Sequence, residues 1–296
     1  MTLVRKNKKT IFLFLLPALL IYIIFEVLPA LLTIYFSFHD WNGIQSVPLQ
    51  FVGMKNYAKL FSNKAFLISI RNVLLYVLIG LLTQLPIGFG LGIAIYNAKY
   101  GKRFLKASFF IPMILSVTAV SLLWYFIYFP TDRGLLNTLL MNLRFKKAPT
   151  DWLNERSVAL LCVAVVSTWT SIGYYMIICM SGLAAVPTSV YDAAKLDGST
   201  GLHRVFHVDI PLIWSSVRVS IIMIITGIIK MFDTVYILTP NGGPGNSTNV
   251  PALLMYNESF KYNKYGKGSA IATIILAMSI LVSVISLKLT QQREDS

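Results

Sequence analysis

The segment Val186–Pro211 reads VPTSVYDAAKLDGSTGLHRVFHVDIP and gathers polar side chains in an order that could do work. Asp192 stands beside Ala193 and Ala194, and one carboxylate next to a small flat surface is suited to docking rather than to making or breaking bonds. Pro187 fits a first helical turn, and Ser189–Leu196 holds good helix formers. Gly198 fits the left-handed position that ends a helix. Ser199 or Thr200 can cap a second short helix reaching His207, and Pro211 closes it. The segment is therefore expected to fold as a helix–turn–helix. His203 and His207 have the i, i+4 spacing of metal ligands, but no Glu or third ligand accompanies them. No metal site is expected, and the pair reads as a solvated or partner-facing helix surface.

Two further constellations fall inside apolar stretches. Ser167, Thr170, Ser171 and Tyr174 follow i, i+3, i+4, i+7 and share one helix face. Their hydroxyls offer donors and acceptors without charge, which suits a polyhydroxylated ligand. The plainer reading is close helix packing through small polar residues. Thr226, Lys230 and Asp233 follow i, i+4, i+7 and form a second stripe. An ionisable group at bilayer depth costs a few kcal/mol, so Lys230 and Asp233 are expected either to pair with each other or to line a watery path. Glu26 is a third such residue.

The elements that must position these groups are membrane spans. Of 296 residues, 56% are hydrophobic and only 13% charged, and the mean hydropathy is +0.67. Six apolar runs stand out: Ile11–Phe36, Asn72–Tyr96, Phe109–Phe129, Val158–Val186, Ile213–Leu238 and Ser269–Leu289. A run of about 20 apolar residues spans the hydrocarbon layer as a helix, because lipid leaves the backbone no other hydrogen-bond partner. The first run is longer than the core of a signal peptide and lacks a clean cleavage site, so it reads as a retained helix. The fold expected is all-α and integral to the membrane, one domain over 1–296, with residues 187–212 as a loop between the fourth and fifth spans. The net charge of +14 sits mostly between the runs, where lysine and arginine meet water and headgroups, so nucleic acid is not the partner it implies. The basic N-terminus and the cluster Lys99, Lys102, Arg103 and Lys106 favour cytoplasmic termini, although Arg133, Arg144, Lys146, Lys147 and Arg156 crowd the opposite side.

Cys162 and Cys179 lie about 26 Å apart on one expected helix and cannot pair. Gly88, Gly90 and Gly92 read as helix packing. No G-x-x-x-x-G-K-[ST] loop occurs, since Gly266, Lys267, Gly268 and Ser269 lack its spacing. ATP, if used, must be bound elsewhere.

The loop resembles the "EAA" loop of binding-protein-dependent ABC importer permeases, E-A-A-x₃-G-x₉-I-x-L-P. Ala193, Ala194, Gly198 and Pro211 match it, with Val208 and Ile210 in the apolar positions and Asp192 replacing the leading glutamate. Val186, Pro187, Tyr191 and Asp197 add the pattern of the carbohydrate (maltose and glycerol-3-phosphate-like) branch. Phe51–Tyr57, the set Pro112, Trp124, Gly134, Asn137 and Leu140, and Phe232–Thr239 with Gly242, Gly243, Pro244 and Thr248 extend the resemblance over nearly the whole chain. One extra residue stands at Pro240-Asn241.

The resemblance implies the type I importer permease fold in a bacterial inner membrane, a transport subunit rather than an enzyme, with no cofactor of its own. It implies a second related permease, two ATPase subunits that hold ATP and magnesium, an extracellular solute-binding protein and a sugar cargo. In such systems the loop inserts into a cleft of the ATPase, which assigns coupling to Tyr191, Asp192, Ala193, Ala194, Asp197, Gly198 and Pro211. Glycerol-3-phosphate is an alternative cargo that Lys230 would favour. An ion-coupled secondary transporter is a different class, which would bring broken helices and paired carboxylates at mid-membrane and leave the loop unexplained.

Overall fold

A computed structural model describes residues 8–44 and 46–291, with side chains described for 11–44 and 46–286. Arg5 and Lys6 of the basic N-terminus lie outside the described residues. The chain folds into two compact units, Met1–Asn63 with Leu254–Ile274, and Lys64–Leu253 with Ile275–Ser296.

In the first unit, α1 (Lys8–Tyr22) passes through a π-helical turn at Ile23–Val27 into α2 (Leu28–Ser37). Pro29 cannot donate to the Phe25 carbonyl and its ring crowds that oxygen, and the widened turn relieves the clash. Glu26 sits exposed on this turn. The described part of the first run, Ile11–Ser37, buries none of its most apolar window, an exposure that hydrocarbon tolerates and water does not. Strands β1 (His39–Asp40) and β2 (Gln50–Phe51) form an antiparallel pair ahead of α3 (Lys55–Phe61). Buried Asn56 explains the asparagine of the 51–57 motif, because its Nδ2 donates to the carbonyls of Ser37 and His39, each at 2.9 Å.

The second unit is built on α4 (Lys64–Asn97) and α8 (Ala159–Ala184), which pack along their length. Between them come α5 (Lys102–Ile114), α6 (Val117–Ile127) and α7 (Leu135–Asn142). The glycines of α4 set the spacing of the pair. A Cβ on Gly92 would stand 2.8 Å from the Cys179 Cβ, and one on Gly88 2.8 Å from the Tyr175 Cβ. Gly90, on the other face, meets nothing within 4 Å. Both cysteines are buried free thiols, and Cys179 Sγ lies 3.6 Å from the Phe89 carbonyl, so they are packing residues.

Asn137, 1% exposed, staples the segment between α6 and α8. Its Nδ2 donates to the carbonyls of Phe129, Thr131 and Thr150, and its Oδ1 accepts from Thr150 N and Trp152 Nε1.

After α8 come α9 (Thr188–Leu196), α10 (Gly201–Arg204), a π turn at Val205–Asp209 and α11 (Ile210–Leu212). They are followed by α12 (Trp214–Ile229), α13 (Asp233–Leu238), α14 (Pro251–Tyr256) and α15 (Tyr265–Gln291). The second π turn ends two residues before Pro211, as the first ends two before Pro29, and the cause is the same.

Among the described residues four helices are long and apolar enough to cross a membrane, and up to six spans result if each of two bent pairs counts as one. The third expected run is not one helix, since α5 and α6 meet at 97°. The fifth, Ile213–Leu238, is also interrupted. Helix α12 makes a 78° corner with the segment before it and stops at Ile229. Phe232 then adopts φ −133°, ψ −60° before α13 begins.

Packing at the α4–α8 seam yields a direct test. Gly92→Val should cost about 1–3 kcal/mol through overpacking and lower the apparent unfolding temperature of the solubilised protein. Gly90→Ala should leave it unchanged.

Candidate functional site

The 187–212 segment folds as the expected helix–turn–helix, with differences that matter. Pro187 caps α9 and Gly198 takes φ +73°, a region that disfavours any Cβ. Thr200 is the residue before α10 but makes no side-chain cap bond. The Ser199 hydroxyl instead lies 3.3 Å from His203 Nδ1. His203 and His207 stack with centroids 4.2 Å apart, and among the described residues no group of three or more His, Cys, Asp or Glu is placed to hold a metal. Asp192 is exposed and forms only a loose surface pair with Lys195, 3.6 Å away. The alanines part company, since Ala193 is exposed while Ala194 turns inward and is buried. Asp197 and Pro211 are exposed, whereas Tyr191 is buried.

The outward surface is therefore larger and more apolar than two alanines. Leu196 is 90% exposed, Leu202 75% and Phe206 62%. Side chains of this kind left in water at a helix–turn–helix tip mark a contact surface. None of the three occupies a position of the motif, so the motif does not announce them.

Arg204, also outside the motif, holds the loop together. Its Nε lies 3.3 Å from Asp209 Oδ1, with Asp209 only 1% exposed. Its Nη2 donates to Asn97 Oδ1 at 3.3 Å, at the end of α4, and its guanidinium stacks 4.8 Å from the Tyr191 ring. The Tyr191 hydroxyl in turn donates to the Leu183 carbonyl of α8 at 3.3 Å. Burial first, then the Asp209 carboxylate, pushes the Tyr191 phenol above its ordinary pKa, with Arg204 opposing in part. It therefore stays a neutral donor.

Five of the seven path residues meet at one cavity of about 300 Å³. Ser167, Thr170, Ser171, Lys230 and Asp233 line it, with Gln84 of α4 and Met223 and Gly227 of α12. Tyr174 opens instead on an adjoining cavity of about 220 Å³ that shares Thr170 and Ser171, and its hydroxyl points to Met223 Sδ at 3.3 Å. Thr226 lines neither cavity, and its hydroxyl donates back to the Ile222 carbonyl at 2.8 Å. The expected 226–230–233 stripe does not exist, because the helix ends between its members. Nor do Lys230 and Asp233 form an ion pair. Lys230 sits at the C-terminus of α12 and Asp233 in the first turn of α13, where the helix dipoles favour each charge. The break had no Gly or Pro at 230–232 to announce it.

Apolar helices enough for four to six spans, a helix–turn–helix with an apolar tip and a polar cavity among the helices define a polytopic membrane permease. Residues 84–294 match the family described as "Binding-protein-dependent transport system inner membrane component", and the chain belongs to that family. It is 33% identical over 289 residues to a Bacillus subtilis protein described as probable ABC transporter permease protein YurN, covering 97% of both chains. It is 31% identical to the Streptococcus mutans multiple sugar-binding transport system permease protein MsmF, covering 95% of both. Its fold matches a chain of the bacterial alginate ABC transporter solved in complex with an alginate pentasaccharide-bound periplasmic protein, with TM-score 0.82 and 17% identity over 99% and 98% of the two chains.

Arg204→Ala would leave Asp209 as a buried carboxylate without its cation, a loss of about 3–5 kcal/mol for a buried pair. Hydrogen exchange should then rise across residues 188–212 while α4 and α8 stay protected.

Proposed function

We propose that this chain is one permease subunit of an ATP-driven importer for a sugar or oligosaccharide, and that its α9–α10 loop is where a separate ATPase delivers force. The observation that carries this reading is the exposed set Leu196, Leu202 and Phe206 beside Ala193 and Asp192, on a loop tied by Arg204 to α4. That is a surface built to be covered and stiff enough to transmit displacement. On this reading two ATPase subunits supply ATP and magnesium, a second related permease forms the other half of the path, and a solute-binding protein delivers the cargo. The loop lies on the cytoplasmic side of a bacterial inner membrane, with both termini on that side.

The cavity supports a neutral polyhydroxylated cargo. Its wall offers the hydroxyls of Ser167, Thr170 and Ser171 and the amide of Gln84, with one positive and one negative side chain. The Thr170 hydroxyl gives its proton to the Val166 and Ser167 carbonyls and so faces the cavity as an acceptor. Lys230 keeps a phosphorylated cargo such as glycerol-3-phosphate as a second reading, and Asp233 in the same wall offsets it. The broken spans would suit an ion-coupled transporter as well, but among the described residues no paired carboxylates occur at either break, and the loop would have no role.

Ala193→Asp with Gly198→Asp places charge on the covered surface and a side chain at φ +73°. ATP-dependent uptake in proteoliposomes of the whole complex should be abolished while membrane insertion is normal. Uptake at the unsubstituted rate would overturn the docking assignment.

A further inference from the structure

A further cavity, of about 590 Å³, opens between the end of α6, the stretch just before α8 and the end of α13. Two helices order it relative to the polar cavity. On α13, Asp233 and Thr234 line the polar cavity, whereas Ile237 and Leu238, about 6 Å further along the axis, line this one. On α8, the hydroxyl of Tyr128 in the cavity wall donates to the Cys162 carbonyl in the first turn. Ser167 stands about 12 Å in from that end of α8. The 187–212 loop follows only after all 26 residues of the helix, about 39 Å. This cavity, the polar cavity and the loop therefore succeed one another in that order.

The wall combines an aromatic face with hydroxyl-binding groups that a ligand can reach. Tyr125 is 37% exposed, and its hydroxyl makes no hydrogen bond among the described residues. Asp151 is half-buried and Asn154 exposed. Asp151 Oδ2 accepts from Asn154 Nδ2 at 2.9 Å and Oδ1 from Asn154 N at 3.3 Å, so the two side chains are held together. A carboxylate has about four lone-pair sites, and two remain for an incoming hydroxyl. Asp151 is the one charged side chain among the described residues that line this cavity. A lone carboxylate repels phosphate and accepts strong hydrogen bonds from neutral hydroxyls. Apolar walls with a few fixed polar groups, in a volume of this size, are the make-up of a small-molecule site. Pro240 and Asn241, where this chain carries one residue more than the pattern it resembles, both belong to the rim.

We propose that this cavity is an entry subsite for a neutral saccharide, occupied before the polar cavity. Tyr125 stacks on the apolar face of a sugar ring, and Asp151 and Asn154 bind its hydroxyls. The proposal rests on the sugar-importer reading above, under which the end away from the loop is the side where cargo is delivered.

The test uses Leu122→Cys, a wall position outside the polar set, in the assembled complex. Cys162 and Cys179 are buried, so a polar maleimide should label this chain at residue 122. The probes are di- and trisaccharides of glucose, galactose, arabinose and xylose, with glucose 6-phosphate as the anionic control. At least one neutral probe should slow labelling, and glucose 6-phosphate should not. Adding Tyr125→Ala or Asp151→Asn should raise the sugar concentration needed by about tenfold, the loss expected for one hydrogen bond to a charged group or one ring contact. Labelling without sugar should keep its rate in both, which shows that the cavity is still formed. A sugar that the unsubstituted complex transports but that gives no protection would overturn the subsite and leave the importer reading intact. Protection that survives both substitutions would overturn it too. So would protection by the sugar-free solute-binding protein where no sugar protects, since that assigns the cavity to a protein contact. If none of the probes is transported or protects, the sugar reading itself falls, and the subsite with it.

Discussion

The structure depends on one side chain that reaches in three directions. Arg204 gathers Asp209 from the far arm of the loop, the Tyr191 ring from the near arm and Asn97 from the end of α4. Without it the helix–turn–helix would be two short helices of nine and four residues, far below the length at which isolated helices persist in water. With it, the loop is fastened to the longest span of the unit, and Tyr191 adds a bond to α8. On the proposed function, a push on Leu196 or Phe206 would have a stiff route into the α4–α8 pair. Those helices in turn approach so closely at Gly88 and Gly92 that they are suited to shift together.

On the proposed coupling, the helices that would take up the push also carry the polar wall. Ser167, Thr170 and Ser171 are on α8 and Gln84 on α4, while the break after Ile229 brings the Lys230 and Asp233 side chains to the same cavity. An interrupted helix is tolerated at membrane depth only where its freed backbone groups find protein or water. A polar cavity at the interruption is therefore expected on backbone grounds as well as cargo grounds. Rigid elements join the loop to this cavity, and rocking as a body is the motion such a unit allows.

Much of this was legible in the residues. Runs of about 20 apolar residues have one backbone solution in lipid, and Gly198 and Pro187 are local punctuation whose meaning does not depend on context. What escaped was tertiary. Ala193 and Ala194 are identical in type, and only the packing of α9 turns one out and the other in. The corner at residues 115–116 and the break at 230–232 carry no glycine or proline of their own, so periodicity ran straight through them. That false continuity produced the stripe at Thr226, Lys230 and Asp233, and the expected ion pair with it. Arg204 gave no signal for another reason, since it is a solvent-like residue whose partner Asn97 is distant in sequence.

The central claim is that the Arg204 clasp, rather than the docking surface alone, couples ATP hydrolysis to movement. Its most direct measure is the number of substrate molecules transported per ATP hydrolysed by the reconstituted complex, with Arg204→Ala beside the unsubstituted protein. The account predicts that hydrolysis continues while transport per ATP falls by at least about tenfold, consistent with loss of a buried pair. An unchanged ratio would contradict it.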